Sequence, residues 1–454
     1  MNYKDFLASK EWAAPSRGIE HGEIHPVLFG YQRETVRRLL EMGCGAAFLD
    51  TGLGKTAVQC EWARHVPGRV LFVAPLAVAQ QTQREAKRLL GMEIEYCKDG
   101  TSSAQFVITN YERVTRFDPA AFAGVVLDES SILKSFMGAT KRDLCERFAS
   151  TPYRLACTAT PAPNDFMEVG NHSEFLGVMP GTEMLTRWFI NDAASVGTYR
   201  LKGHAVADFW RWVASWSVTA AKPSDLGFSD EGFILPELRQ EILPVESPLG
   251  EAAEAGELFY MPVANAANLH KERRKSIEDR VRIAAGAVNG NDRPWLIWCE
   301  SNEESAALTA AIPDAVEVKG SDSAELKESR LVAFSEGRAR VMVSKPSICG
   351  FGMNWQHCRD MIFSSVSYSY EKYYQAVRRC WRFGQTQPVH VRVLLSDMEI
   401  PVWKTVVEKA GRHEEMKRNS ADAGGMDSKR AERVEYKAKS FSFPEWISKE
   451  RRIA

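Results

Sequence analysis

The sequence predicts an α/β fold: two tandem units, each a parallel sheet flanked by helices, separated by a mainly helical insertion. Short apolar runs alternate with helix-like segments over residues 25–170 and again over 291–409, the pattern of repeated βαβ units. Between them the chain becomes Trp-rich and then polar, so the alternation stops and resumes. At 454 residues there is room for this division, given about 150 residues per domain.

In the first unit the strands are "AAFLD" (46–50), "RVLFVAP" (69–75), "QFVITN" (105–110), "GVVLDE" (124–129) and "RLACTAT" (154–160). Segments such as "KTAVQCEWARHV" and "AQQTQREAKRLL" read as the helices between them. In the second, "PWLIWCE" (294–300), "AVEVKG" (315–320), "ARVMVSK" (339–345), "DMIFSS" (360–365) and "VHVRVLL" (389–395) read as strands. Two such sheets leave a cleft that the carboxyl ends of their strands can share. Residues 1–24 form an N-terminal segment and 171–290 a helical bridge. The bridge contains "HAVADFWRWVASWS", whose tryptophans read as core before they read as a base-stacking platform. It ends in "ANLHKERRKSIEDRVRIAAGAV", a long polar helix whose basic run "KERRKS" is a solvated face, with nucleic-acid contact as the alternative. Residues 410–454 are a polar tail, expected to be flexible.

Bulk properties exclude several classes. The formal net charge is −1, so any polyanion must meet a local patch rather than a globally basic surface. Nine scattered cysteines with no C-x-x-C pair argue against a disulfide framework or a zinc site and for reduced thiols in a cytoplasmic compartment. The N-terminal "MNYKDFLASKEWAAPSRG" lacks the apolar centre of a signal peptide, and no apolar run of about 18 residues occurs, so no membrane span is expected.

The sharpest local signal is "FLDTGLGKTAVQ" (48–59), a strand, a Gly-rich turn and a helix start. Gly52 and Gly54 let backbone N–H groups approach phosphate oxygens, and the helix beginning near Lys55 aims its positive end at the same place. Lys55 can reach the β- and γ-phosphates of ATP, and Thr56 can ligate Mg2+. The strict G-x-x-x-x-G-K-[ST] pattern would place Gly where Leu49 stands. "GVVLDESS" (124–131) supplies the metal partner: Asp128 at a strand end to hold Mg2+, and Glu129 to orient or deprotonate an attacking water.

The order of features resembles superfamily 2 helicase-like ATPases, and among them the SNF2-like translocases. "FGYQRETVRRLL" is similar to the Q motif, "LDTGLGKT" to motif I, "VLFVAPLAVAQQTQREAKR" to motif Ia and "VVLDESSILKS" to motif II. "RLACTATPAPND" is similar to motif III, "VMVSKPSICGFGMNWQ" to motif V and "QAVRRCWRFGQTQPV" to motif VI. The likeness covers most of residues 25–396. The sequence departs from the family pattern at Ser130 and Ser131 of motif II, Ala159 of motif III, and Arg378 and Trp381 of motif VI. The short length points to a compact viral or bacterial version, in host cytoplasm or nucleoid if viral.

The resemblance implies two RecA-like lobes that sandwich ATP, with Thr51, Gly52, Leu53, Gly54, Lys55 and Thr56 around the phosphates and Gln32 reading adenine. From lobe 2, Gly352 and Gln375 would join the nucleotide, and Arg379 and Arg382 would be arginine fingers. If 373–385 is one helix, Gln375, Arg379 and Arg382 share a face, while Tyr374, Val377 and Trp381 pack on lobe 2. Ser369 would cap its start and Gly384 its end, and Arg378 would point elsewhere, into a surface or structural ion pair. Thr158 and Thr160 would link hydrolysis to lobe motion, or serve as satisfied turn caps. Pro75, Thr109, Asn110 and Tyr111 would touch nucleic acid, expected to be double-stranded DNA bound without sequence preference by a monomer. A strand-separating DNA or RNA helicase, and an ATP-gated binding module without turnover, are the alternatives.

Overall fold

The computed structural model describes residues 17–135, 137–191, 199–246, 266–349 and 354–428. The strands of the first half are β1 (Cys44–Leu49), β2 (Val70–Ala74), β3 (Glu95–Tyr96), β4 (Phe106–Asn110), β5 (Gly124–Asp128) and β6 (Tyr153–Cys157). A small antiparallel hairpin, β7 (Phe189–Asn191) and β8 (Tyr199–Leu201), and then β9 (Ser217–Ala220) follow. The second half contributes β10 (Leu238–Pro244), β11 (Trp295–Trp298), β12 (Ala315–Val318), β13 (Val341–Ser344), β14 (Asp360–Phe363) and β15 (Val389–Leu395).

These strands build two all-parallel sheets, one ordered β3-β4-β2-β5-β6-β1-β9 and the other β10-β15-β14-β11-β13-β12. Parallel sheets need cover on both faces, so their strands are continuously apolar. β1, β2 and β5 are buried along their whole length. Side chains still alternate: Leu71 and Val73 of β2 enter one core while Val70 and Phe72 enter the core on the opposite face. In lobe 2, Leu296 and Trp298 of β11 face one core and Trp295 and Ile297 the other.

The stretch 171–290 is mainly helical, and it also completes both sheets. β9 pairs with β1 at the edge of the first, and β10 pairs with β15 at the edge of the second. The tryptophans of the helix Val206–Ala214 are core: Trp210, Trp212 and the following Trp216 are buried. The long polar helix expected near its end is instead two, Ala266–Lys275 and Ile277–Asn289, meeting at Ser276. Lys271, Arg274 and Lys275 of the basic run are exposed, the solvated face expected, while Arg273 and the fully buried Arg280 tie the two helices down by pairing with Glu399, at 2.7 and 2.5 Å.

The tail expected over 410–454 needs correction as far as it is described. A single helix runs Ile400–Ser428. It begins on lobe 2, where Val402 joins the core, and ends on lobe 1, where Met416 and Ala423 pack with the aromatic cluster around Trp212. The apolar residues fall on one stripe of the helix, so burial of that stripe orders a segment whose other faces are polar. Among the described residues no helix is long and apolar enough to cross a membrane.

Candidate nucleotide cleft

All strands of a parallel sheet end on one side, so β1, β5 and β6 deliver Asp50, Asp128 and Thr158 to the same edge. After β1 the chain turns through Gly52 (φ 98°) and Gly54 (φ 76°) into the helix Lys55–His65. Gly54 has a tight neighbour: a Cβ there would sit 2.3 Å from Gln32 Nε2. The helix has no side-chain N-cap, so its first N–H groups face outward as an anion would require. Lys55 Nζ donates to the Leu49 carbonyl at 3.2 Å, and Thr56 is half-buried beside it. Thr51 Oγ1 is buried with no hydrogen-bond partner in the protein.

Asp128 ends β5 and Glu129 follows it, both beside Lys55 of this loop. Glu129 takes a left-handed backbone (φ 54°), unusual for a side chain with a Cβ and common at functional sites. Its N–H donates to Asp128 Oδ1 at 3.1 Å. Burial pushes both carboxyls up, that of Glu129 to about 7, with Asp128 and Glu371 adding to the rise and Lys55 and Arg379 opposing it. A buried carboxyl raised in this way, as at Asp128, is a donor that a divalent cation would relieve.

Lobe 2 meets this site through the helix Tyr370–Val377. Its start is as expected, with Ser369 Oγ accepting from Lys372 N at 3.3 Å. Its end is not. The helix stops at Val377: the N–H groups of Arg379 and Cys380 make tighter i+3 bonds, and past the end the Arg379 carbonyl accepts from Trp355 N at 2.9 Å. Gly384 (φ 90°) therefore lies in the following turn and caps nothing. Gln375 and Arg379 still act together: Arg379 Nη2 donates to Gln375 Oε1 at 3.1 Å, and Gln375 Nε2 donates to Glu129 Oε2 at 3.4 Å. Arg382 is partly buried; burial and the charges of Arg379 and Arg378 pull its guanidinium down to about 9. A cation crowded by two others is a natural seat for an anion. Lys134 on lobe 1 pairs with the buried Glu371 of the same helix.

Several expected roles change in position. Gln32 is buried and already engaged, accepting from Phe29 N at 3.0 Å and donating to the Leu53 carbonyl at 3.0 Å, so it braces the loop. Tyr374, expected on lobe 2's own core, reaches across to Asp50. Val377 and Trp381 do pack on lobe 2, Trp381 Nε1 donating to the Pro236 carbonyl at 2.7 Å. Thr109, Asn110 and Tyr111 cannot touch nucleic acid as they stand, because all are buried. Asn110 bonds Glu112 and Tyr96, and Tyr111 OH donates to the Asp128 carbonyl at 2.7 Å. Pro75 is half-buried at the start of the helix Leu76–Leu90. Thr158 Oγ1 accepts from Thr160 N at 3.1 Å, which is the turn cap among the readings open for it. Gly352, expected beside the nucleotide, lies outside the described residues.

Sequence reasoning missed Asp50, Lys417 and the inward role of Tyr111. A carboxylate closing an apolar strand, as in "AAFLD", was the available signal for Asp50.

Residues 275–384 match the helicase conserved C-terminal domain. The matched stretch runs from the helix Ile277–Asn289 through β11, β12, β13 and β14 to the turn after the helix Tyr370–Val377, which is most of lobe 2. With two parallel sheets in tandem, it supports a helicase-like protein of superfamily 1 or 2 and nucleic-acid helicase- or translocase-type activity. No curated protein matches the chain.

Proposed function

We propose that the chain is an ATPase that couples hydrolysis to movement along nucleic acid, in the manner of the SNF2-like translocases it resembles. Its substrate is ATP with Mg2+, and its track is double-stranded DNA, gripped mainly at phosphates and without sequence preference. The chain acts as a monomer. The observation that carries this reading is the meeting of Lys55, Asp128, Glu129, Gln375 and Arg379 across one cleft: Gln375 joins Arg379 to Glu129.

The division of labour follows from charge. Lys55 and the free N–H groups of its helix neutralise phosphate oxygens. Asp128 and Thr56 would hold Mg2+, which would supply positive charge to offset that of the phosphate oxygens. Glu129, with a carboxyl raised to about 7, is poised to accept a proton from water near neutral pH. Arg379 and Arg382 bring positive charge from lobe 2, so the charge distribution favours phosphoryl transfer only when the lobes are together.

The test is an ATPase assay of the full chain with single-stranded DNA, duplex DNA, forked DNA and RNA. Duplex DNA is expected to stimulate turnover most, and Lys55→Ala to abolish it. Turnover unchanged by Lys55→Ala sinks the reading. Stimulation by RNA or unwinding of the fork would move it to a strand-separating helicase.

A further inference from the structure

Asp50 immediately precedes the phosphate loop, yet its surroundings have no part in the chemistry described above. It is buried at the end of β1, and side chains from two other parts of the molecule converge on it. Arg378 Nη2 lies 2.7 Å from Oδ1 and Lys417 Nζ 3.1 Å from Oδ2, while Tyr374 OH donates to Oδ1. Arg378 Nη2 also donates to the Thr51 carbonyl at 2.9 Å, and Thr51 N donates back to the Asp50 carboxylate. One guanidinium therefore holds both the Asp50 side chain and the backbone of the first loop residue.

The two cations arrive by different routes. Arg378 caps the end of the helix Tyr370–Val377 and so belongs to lobe 2. Lys417 sits on the helix Ile400–Ser428, one end of which is in the lobe 2 core at Val402 and the other in the lobe 1 core at Met416 and Ala423. Midway, Val406 packs with Ala159 of lobe 1 and with Tyr370 and Tyr374 of lobe 2. The helix is a strap across the cleft. Lys417 is further held by Glu414 at 3.0 Å, and the buried His413 ring lies against Tyr370 and Tyr374. Burial alone would raise the Asp50 carboxyl; the Arg378 and Lys417 charges and the Tyr374 hydroxyl reverse this and hold it well below the usual carboxylate range.

Buried ion pairs are seldom better for stability than apolar residues of the same size, and their attested use is to fix one arrangement over others. Here the arrangement fixed is the one in which lobe 2 and the strap both contact the start of the phosphate loop. We propose that Asp50, Arg378 and Lys417 form a closure latch, in which Lys417 of the strap presents Asp50 and Arg378 of lobe 2 then clamps the first peptide of the phosphate loop. Arg378 is thus a positioning residue that never touches nucleotide, distinct from Arg379 and Arg382. The kinetic consequence rests on the ATPase reading, but the latch itself does not.

The test compares wild type with Arg378→Met, Arg378→Lys, Lys417→Met, Lys417→Arg, Asp50→Asn and the double variant Arg378→Met/Asp50→Asn. Each full-length protein is measured by small-angle scattering, with and without a non-hydrolysable ATP analogue, and by ATP turnover. Arg378→Met is expected to leave the lobes further apart and to lower kcat on the order of 10²-fold, as small misplacements in a catalytic site do, with KM moving far less. The double variant is expected to lose less than the two single losses combined, since Arg378 and Asp50 share one interaction, while Arg378 alone also holds the Thr51 carbonyl. Lys417→Arg is expected to behave as wild type where Lys417→Met does not. Arg378→Lys keeps the charge but not both contacts, so it should stay folded in thermal unfolding and still lose kcat. Additive losses, or scattering and kcat unchanged in Arg378→Met and Lys417→Met, overturn the latch. If wild type hydrolyses no ATP, the ATPase reading fails and the scattering still decides the latch. If wild type turns over and the variants match it, only the latch fails.

Discussion

Replacing Glu129 by glutamine keeps the shape and the left-handed backbone of the site while removing one ionisable group. Burial, with Asp128 and Glu371 nearby, raises this carboxyl from 4.5 to about 7. The folded chain therefore holds the proton more tightly than the unfolded chain does. The stability this contributes is present in full below about pH 4.5 and is lost as pH rises through 7. The difference, 7 − 4.5 = 2.5 pH units, corresponds to roughly 3 kcal/mol at about 1.36 kcal/mol per unit. Glu129→Gln cannot ionise and escapes this loss. Its advantage over wild type should grow from about 1 kcal/mol at pH 5 to about 3 kcal/mol at pH 8. Because Asp128 and Glu129 titrate as a pair, the midpoint of that growth belongs to both. Urea denaturation of the two proteins across this range measures the gap directly. A gap that is the same at pH 5 and pH 8 refutes a buried, raised carboxyl at Glu129. The same ionisation should make wild-type kcat/KM rise with pH toward a plateau above 7, whereas Glu129→Gln should bind ATP and not turn it over.

Two further outcomes follow from the loop and from β5. Gly54→Ala combines a φ of 76° with a Cβ placed 2.3 Å from Gln32 Nε2, so the loop must distort; binding of an ATP analogue, read by calorimetry, should weaken by about tenfold or more. Tyr111→Phe removes the hydroxyl that donates to the Asp128 carbonyl at 2.7 Å and leaves that oxygen buried. The variant should lose about 1–3 kcal/mol in denaturant titration, and unchanged stability would show that the hydroxyl holds nothing.

The inner strands were legible because parallel sheets bury both faces, so β1, β2 and β5 are buried from end to end, whereas the edge strand β10, mostly exposed, was not. The turn at Gly52 and Gly54 and the Asp128–Glu129 pair were legible because few local chemistries use those residue types in that order. The end of the helix Tyr370–Val377 was not, since the chain past it tightens into i+3 bonds and joins Trp355, distant in sequence, through the Arg379 carbonyl. Gln375 and Arg379 met Glu129 anyway, because the first is on the last turn of the helix and the second just past it. The helix Ile400–Ser428 was hidden by its polar faces and by Gly411, Gly424 and Gly425, although Val402, Val406, Met416 and Ala423 mark a buried stripe. Thr109, Asn110 and Tyr111 were assigned by resemblance alone, and burial overruled it. Arg378, where the sequence departs from the family pattern, was expected in a structural ion pair. Its partner is Asp50, across the cleft.

The central claim is that lobe 2 completes a site begun on lobe 1, and Arg379 tests it most directly. ATP binding and single-turnover hydrolysis should be measured in parallel for wild type and Arg379→Ala. The account predicts turnover reduced by about 10³-fold or more, the usual loss for an arginine finger, with ATP binding retained. Turnover close to wild type in a folded Arg379→Ala protein would contradict it.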